Sequence, residues 1–588
     1  MIYSRQEHWQ FLEEELRAQT EAYKQKLDTS ALFLLQDREE LFVAQFLKFQ
    51  DGEMILKFSN KRGIPRQGEY LYCFTVPKDL RDYRNWENRT YGDLVKAKTN
   101  YSEIVCIWQA PSNEKDFSIA GFRGVDLEFS THIQDAEGLI LILGPNKPPF
   151  EYIANLQKIV QNEINNSVNK ILDQDFQNSE WIPSLLDNKR NIADFILTQL
   201  ALQDTLIIQG PPGTGKTYLI AEICERLCQQ GKTVLITALT NRALIEIIEK
   251  PALKELLEEK RIFKTKLSVD EARAHKNLQQ TKDVSPQPGN LILSTFYITS
   301  GQAAQTFNEP PFDYVIVDEA SQALLGMFGG AKLLGKKNIW IGDTKQLPPV
   351  VALSDDKVNR KNYGALVDGL KALSDSASMP IFQLIETHRL TDRGANYTGI
   401  FYKDSLKSRA KKEVRLSFPE ISFECGKLFN PNGGPTLIKT DLKLGDFKPQ
   451  NALRLTTDIV KHLLIADENL HISVLTYFVE TTKALQKAIF QTVGYHKNLL
   501  IETVSRVQGL TTDVTIFVIP NSSYHRSLEN RLFNVATSRS KRHCLIISDK
   551  DVLTRSQVDN EVKKYLQKLN DDYSFYINLE PELKKLGQ

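Results

Sequence analysis

The chain has 588 residues, 41% hydrophobic and 25% charged, a composition that excludes wholesale disorder and fits a globular protein. At ~150 residues per domain, that length predicts roughly four units. Lys+Arg number 74 against 73 Asp+Glu, a formal net charge of +1, so a polyanionic partner must be met by a local positive groove, not a global field.

Residues 6–28 read as a long polar helix with Trp9, Leu12, Leu16 and Tyr23 near one face. From 31 to 143, short apolar runs (ELFVAQFLKF, EMILKFS, EYLYCFTV, EIVCIWQA, GLILILG) alternate with Gly, Asn, Asp and Pro clusters, the pattern of a small β-barrel. Residues 151–173 return to helix, with Ile153, Leu156, Val160, Ile164, Val168 and Ile171 at helical spacing. A barrel bracketed by two helices predicts a domain on a paired stalk, residues 1–180. From about 185 strand–helix alternation sets in, the sign of a parallel α/β sheet. TLIIQ, TVLITA, LILSTF, YVIVDEA and NIWIGD are its strands, interrupted at about 250–288 by an insertion read as helical. A second series, ISVLTYF, LIETV, VTIFVI and HCLIIS, follows an irregular stretch at about 407–450, and residues 551–588 are read as a helical tail.

The six cysteines (Cys73, Cys106, Cys224, Cys228, Cys425, Cys544) contain no Cys-x-x-Cys pair. Cys224 and Cys228 lack a second pair to complete a tetrahedral zinc site, so buried thiols in a reducing compartment are expected. The first residues lack the charged-then-apolar order of a signal peptide, and no apolar run nears the ~20 residues of a membrane span. The expectation is a soluble, non-secreted protein of the cytoplasm or nucleoid, with no membrane partner.

Gly210–Thr217 reads GPPGTGKT, the Gly-x4-Gly-Lys-Thr pattern of a phosphate-binding loop, between a buried strand and a helix. The glycines let backbone N–H groups of Gly210, Gly213, Thr214 and Gly215 turn around phosphates, Pro211 and Pro212 shape the turn without donating, and the helix N-terminus adds partial positive charge. Lys216 is placed to reach the β and γ phosphates and Thr217 to ligate Mg²⁺. YVIVDEAS ends a strand in two acids: Asp318 is assigned to the Mg²⁺ shell, and Glu319 to orienting and deprotonating water. Taken alone such a pair is as readily a solvated strand end; about 100 residues after a phosphate loop it reads as functional. NIWIGDTKQLPPV ends another strand in Asp343 and Gln346 before two stiffening prolines, which suits a γ-phosphate sensor as well as an ordinary strand exit.

The order GPPGTGKT, DEAS, GDTKQLPPV resembles superfamily 1 helicases of the 5′-to-3′ subgroup, over about 185–550. Later segments match too: ETHRL aligns Arg389 with an arginine that reaches the γ-phosphate, TVSRVQGLTTDVTI carries Gln508 and Gly509 of a Gln-Gly motif, and RLFNVATSRSKRHCLII places Arg539 as the arginine finger. The resemblance implies two RecA-like lobes, 181–375 and 376–550, behind the barrel-bearing unit. It implies ATP and Mg²⁺ as cofactors, with Arg389 and Arg539 brought by the second lobe on closure. It also implies grips on a single strand at Thr240, Asn241, Ser294, Thr295 and Thr503. Basic residues of the insertion (Lys260, Arg261, Lys264, Lys266, Arg273) would be either a wall for that strand or a solvated charged face. Departures are Arg190 at the place of an adenine-reading Gln, Thr511 for a Glu, and Ser505 for an Asp. The expected activity is ATP-dependent translocation or unwinding on single-stranded DNA or RNA, with a separate nuclease or complex subunit as a candidate partner. The alternative is a nucleic-acid-stimulated or protein-remodelling ATPase that unwinds nothing.

Overall fold

The computed structural model describes residues 3–36, 40–162, 166–173, 182–305, 309–376, 378–410, 416, 423–443, 445–507, 509–555 and 557–578. The first helix, Arg5–Leu27, opens on a capping box in which Glu7 N–H donates to Ser4 Oγ (3.1 Å) and Ser4 N–H to the Glu7 carboxylate (2.8 Å). It buries His8, Phe11, Leu12, Glu15 and Tyr23. Phe11 and Leu12 share one core with Tyr152, Leu156, Leu325 and Phe328 of later segments. The Glu15 carboxylate, fully buried, accepts N–H groups of Ala352 and Leu353 at 2.8–3.0 Å. A buried charge needs such donors, and they weld the stalk to the following α/β unit. The helix read over 151–173 is two: Phe150–Val160 and Asn166–Leu172. Arg5 takes up the carbonyls where the first one stops, donating to Val160 O (2.5 Å) and Asn162 O (3.3 Å).

Between the stalk helices six antiparallel strands (Phe42–Gln50, Glu53–Ser59, Tyr70–Thr75, Asn100–Pro111, Phe117–Arg123, Ile140–Gly144) close into a barrel, the first pairing with the last through Phe42↔Leu143. The tight turn at Asp51–Gly52 has both residues at positive φ (53° and 84°), the conformation a two-residue hairpin needs. Phe46, Phe58 and Phe122 fill the interior.

The next unit is a nine-stranded parallel sheet. In spatial order its central strands are Ile262–Thr265, Leu291–Thr295, Val234–Ala238, Phe312–Val317, Gly335–Gly342, Thr205–Gln209 and Ile381–Leu384. Two expectations are corrected here. The insertion at 250–288 is not simply helical: Ile262–Thr265 and Gln279–Thr281 extend the sheet, their three- and four-residue length and polar members (Lys264, Gln279, Gln280) having hidden them. The first lobe also runs past 375, because Ile381–Leu384 pairs with Thr205–Gln209 inside its sheet. The second lobe is a six-stranded parallel sheet, Gly434–Thr440, Ile472–Thr476, Leu499–Thr503, Thr512–Val518, Ser540–Asp549 and Ser574–Ile577. Its last strand corrects the helical-tail reading: after the helix Asn560–Asp572, SFYI adds an edge strand beside Gly434–Thr440.

Candidate active site

In the first sheet the strands Thr205–Gln209, Phe312–Val317 and Gly335–Gly342 are neighbours, so their C-terminal ends meet at one edge, where a parallel sheet presents its ligand site. Each end is a sequence-predicted motif. Gly210 N–H donates to Gly342 O at 2.8 Å, fixing the start of the phosphate loop against the neighbouring strand. Gly213 must be glycine twice over: its φ is +74°, and a Cβ there would stand 2.3 Å from Arg389 Cβ and 2.7 Å from Thr387 Oγ1. Lys216 begins the helix Lys216–Gln229, and its ammonium lies in the loop, donating to Gly210 O at 2.8 Å. Thr217 is half-buried in the first helical turn behind it.

Asp318 is buried, and its N–H donates to Thr237 O at 2.9 Å. Its carboxyl is held well above the usual carboxylate range, by burial first and then by the charge of Glu319. Glu319 stands in the left-handed region (φ 47°, ψ 42°) and donates its N–H to Asp318 Oδ1 at 2.8 Å. A non-glycine residue held there costs on the order of 1 kcal/mol, strain typical of functional sites. Two adjacent acids, one dehydrated, offer oxygens suited to a hard divalent cation.

Asp343 is a structural hub. It accepts from Gln209 Nε2 (2.7 Å), Gln346 Nε2 (2.8 Å), Lys345 N–H (3.0 Å) and the Tyr402 hydroxyl (2.7 Å). Gln346 Oε1 in turn accepts from Arg539 Nη2 at 3.4 Å. Asn534 of the second lobe donates to Tyr402 Oη (2.9 Å) and Lys345 O (2.8 Å). Tyr402 and Asn534, to which sequence assigned no role, thus join the two lobes behind the cleft. Nothing in GIFYKDS marks Tyr402, whereas Asn534 lies within the motif that carries Arg539.

Arg539 is buried, with Nε donating to Val535 O at 2.9 Å; burial lowers its affinity for its proton, while Glu319, Tyr402 and Asp343 oppose that. Arg389 is half-buried, with Nη1 donating to Ser538 O at 3.3 Å, and it is brought down to about 9 by burial and then by Arg539. The two guanidiniums are thus drawn together, Arg389 onto the residue next to Arg539, and the charge of Glu319 acts on both. Arg389, however, is not carried by the second lobe. His388 N–H donates to Gly213 O (2.8 Å) and the Thr387 hydroxyl to Pro212 O (2.9 Å), tethering its backbone to the phosphate loop itself. Two neighbouring cations repel each other until an anion lies between them, and with Lys216 they supply the charge pattern of a polyphosphate site.

The expected strand contacts separate. Thr240 and Asn241 are exposed, and Thr240 caps the helix Asn241–Ile248 by accepting Ala243 N–H at 3.3 Å. Thr295 is largely buried at the start of the helix Phe296–Ala303. Ser294 is wholly buried and accepts from Thr265 Oγ1 at 3.1 Å, so it cannot touch a strand: the strand Leu291–Thr295 is central and enclosed to its penultimate residue. Thr503 is largely buried, donating from N–H (2.7 Å) and Oγ1 (3.2 Å) to the Glu502 carboxylate. The basic wall is corrected as well: Lys264 is buried against Glu271 (3.0 Å), Arg261 binds Gly289 O (2.7 Å), and Lys266 and Arg273 pair with Asp126 (3.1 Å) and Asp51 (3.0 Å) of the barrel. Gly509 is exposed with φ +86°, while Gln508 lies outside the described residues. Arg190 is exposed, its guanidinium 5.0 Å from the Phe195 ring centroid.

A phosphate loop, an acidic pair and convergent arginines set between two parallel-sheet lobes define a P-loop NTPase of the two-lobed, RecA-like kind. Residues 195–352 and 399–551 each match a family described as "AAA domain". The chain is 26% identical over 405 residues to the DNA replication ATP-dependent helicase/nuclease dna2 of Schizosaccharomyces pombe, covering 62% of this chain and 28% of that one. It is 24% identical over 419 residues to the regulator of nonsense transcripts 1 homolog of Drosophila melanogaster, covering 62% and 35%. The chain thus spans less than a third of the length of the dna2 relative. Among solved structures, an Arterivirus nonstructural protein 10 (helicase) aligns over 88% of this chain and 79% of its own at 12% identity, with a TM-score of 0.36. The chain belongs to the superfamily 1 helicases, in their 5′-to-3′ group.

Proposed function

We propose that this protein is an ATP-driven translocase and helicase that moves 5′-to-3′ along single-stranded nucleic acid. The observation that carries the reading is that Arg389, tethered to the phosphate loop, and Arg539, which reaches Gln346 from the far lobe, are brought together at the loop. In this reading Lys216 and the loop amides hold the β and γ phosphates, Thr217 and Asp318 hold Mg²⁺, and Glu319 aligns and deprotonates the attacking water. Bound Mg²⁺ would neutralise phosphate charge and relieve the dehydrated Asp318. The two arginines and Gln346 take the charge that spreads over the transferring phosphoryl group. The chain is then organised as a barrel-bearing unit on a helical stalk, residues 1–180, followed by the two lobes. The Gln-Gly motif, Gln508 and Gly509, is assigned to nucleotide binding. Thr240, Asn241 and Thr503 contact phosphates of the strand, without reading sequence. Names of relatives favour a DNA track, replication helicases heading them, and a site of action inside the cell.

The test is ATP turnover with single-stranded DNA and RNA side by side, followed by displacement from 5′- and 3′-tailed duplexes. Strand-stimulated turnover with displacement from the 5′-tailed duplex is expected. Turnover indifferent to any strand favours a protein-remodelling ATPase, and stimulation without displacement leaves a translocase that does not unwind.

A further inference from the structure

The helix Asn530–Thr537 leads into Arg539. Arg531 and Asn534 stand one turn apart on one of its faces, and both cross to the first lobe. Asn534 reaches Lys345 O, and Arg531 Nη2 forms an ion pair with Asp368 Oδ2 at 2.5 Å. These two charged side chains are only 23% and 16% exposed, so salt and water screen the pair little. A second pair between the lobes, Arg526 with Asp355, is 51% and 60% exposed and belongs with the surface pairs that contribute little.

Asp368 stands at the start of the helix Gly369–Asp375, where an aspartate ordinarily accepts a backbone N–H of the first turn. It makes no such cap bond, and its carboxylate goes to Arg531 instead. Natural chains set a local preference aside in this way chiefly at functional or strained sites. The residues after Asp368 back the hydrolytic motifs. A Cβ on Gly369 would stand 2.8 Å from Leu325 N and Cα, so this helix start is pressed onto the segment that follows DEAS. A Cβ on Gly342 would stand 2.6 Å from Leu370 Cδ2 and 2.8 Å from Ser321 N. Buried Leu370 thus packs behind Gly342, one residue before Asp343, and close to Ser321, two residues after Glu319. The ion pair joins the helix that carries the far-lobe arginine to the wall that carries the acid.

We propose that Arg531 is a positioning residue for hydrolysis: seated on Asp368, it sets the approach of Arg539 to the phosphoryl group that the water held by Glu319 attacks. This rests on the reading of Arg539 as the arginine finger. Arg531 acts through the helix it anchors and touches no reacting atom. A charged group misplaced by ~1 Å can cost ~10²-fold in rate, so a pair that fixes the register of the two walls matters to turnover more than to affinity.

The experiment is a set of double-mutant cycles on ATP turnover at saturating single-stranded DNA, with thermal midpoints read alongside. Asp368→Asn keeps the side-chain shape and removes the charge, and Arg531→Ala removes the partner. Each should lower kcat by ~10- to 10²-fold with KM for ATP near wild type. The exchange Arg531→Asp with Asp368→Arg should recover part of that loss. Added to Arg539→Ala, either substitution should slow turnover no further, because the group it positions is gone. Asp355→Asn at the exposed pair should leave kcat unchanged. Wild-type kcat in both single variants, losses that multiply onto that of Arg539→Ala, an equal loss in Asp355→Asn, or a fall in kcat that tracks the midpoint and survives the exchange would each overturn the inference. Wild-type-like turnover of Arg539→Ala would instead sink the reading of Arg539 on which it rests.

Discussion

On the nucleotide side of the cleft the two lobes are joined by polar links: Tyr402 to Asp343, Asn534 to Lys345, Arg539 to Gln346, Arg389 to Ser538. On the side proposed for the strand, Thr240 and Asn241 are exposed at a helix start, and Thr503 spends its hydrogen bonds within its own lobe. Both regions sit at ends of neighbouring parallel strands, yet one is a dry relay of fixed partners and the other an open set of hydroxyls and amides. Chemistry needs charges held in place before the transition state arrives. Passage along a strand needs contacts that form and release repeatedly, and phosphate contacts shared among many groups suit that. Single substitutions should therefore act steeply on the first region and shallowly on the second.

The largest effect is expected from Lys216→Ala, which removes the cation inside the phosphate loop: ATP turnover should fall to background while the thermal transition stays in place. Wild-type-like turnover would reject the loop as the nucleotide site. Next come the two arginines, whose different anchorage separates them. Arg539→Ala should cut turnover by ~10³ or more with nucleotide affinity kept, since the side chain arrives from the far lobe. Arg389→Ala should lower turnover and also weaken nucleotide binding, because its backbone is tethered to the phosphate loop. Equal loss of affinity in both variants, read by equilibrium titration of a fluorescent nucleotide, would erase the distinction.

The same contrast governs what could be read from sequence. GPPGTGKT and DEAS are legible because steric demand fixes residue types there: Gly213 can carry no Cβ, and Asp318 ends an apolar strand. That an arginine at 389 would lie beside the phosphate loop was legible from its motif. Which lobe holds it was not, since that depends on His388 and Thr387 finding carbonyls of the loop about 175 residues away. Ser294 failed as a strand contact because a hydroxyl at a strand end reads alike whether it faces solvent or, as here, Thr265. Short polar strands such as Gln279–Thr281 carry no apolar run to betray them, and the cations of 261–273 read as free until the barrel and its own acids supplied partners.

Tyr402→Phe probes the relay between these extremes. It keeps the ring and deletes the hydroxyl that donates to Asp343 and accepts from Asn534, leaving two buried groups short of a partner. Each such group costs about 1–3 kcal/mol, so a lowered thermal midpoint is expected. If the relay couples the lobes, strand-stimulated turnover should fall about tenfold, on the scale of the ~1.4 kcal/mol that one lost partner costs. KM for ATP should move little. A stability loss with unchanged stimulation would assign Tyr402 to packing alone.

The smallest effects belong to the strand side, where the pair Thr240→Asp and Ser294→Ala distinguishes exposure from position. Aspartate keeps the cap on Ala243 N–H, so stability should hold. It also places a negative charge where a phosphate is expected, so affinity for a fluorescent single strand should drop by several-fold and more steeply at low salt. Ser294→Ala removes a hydroxyl that no strand can reach: affinity should be unchanged, while Thr265, left with the longer bond to Leu293 O at 3.5 Å, costs about 1 kcal/mol of stability. If Ser294→Ala weakened strand binding and Thr240→Asp did not, the strand would have to enter the first lobe where its sheet is now closed. The exposed helix start would then lose its place in the track.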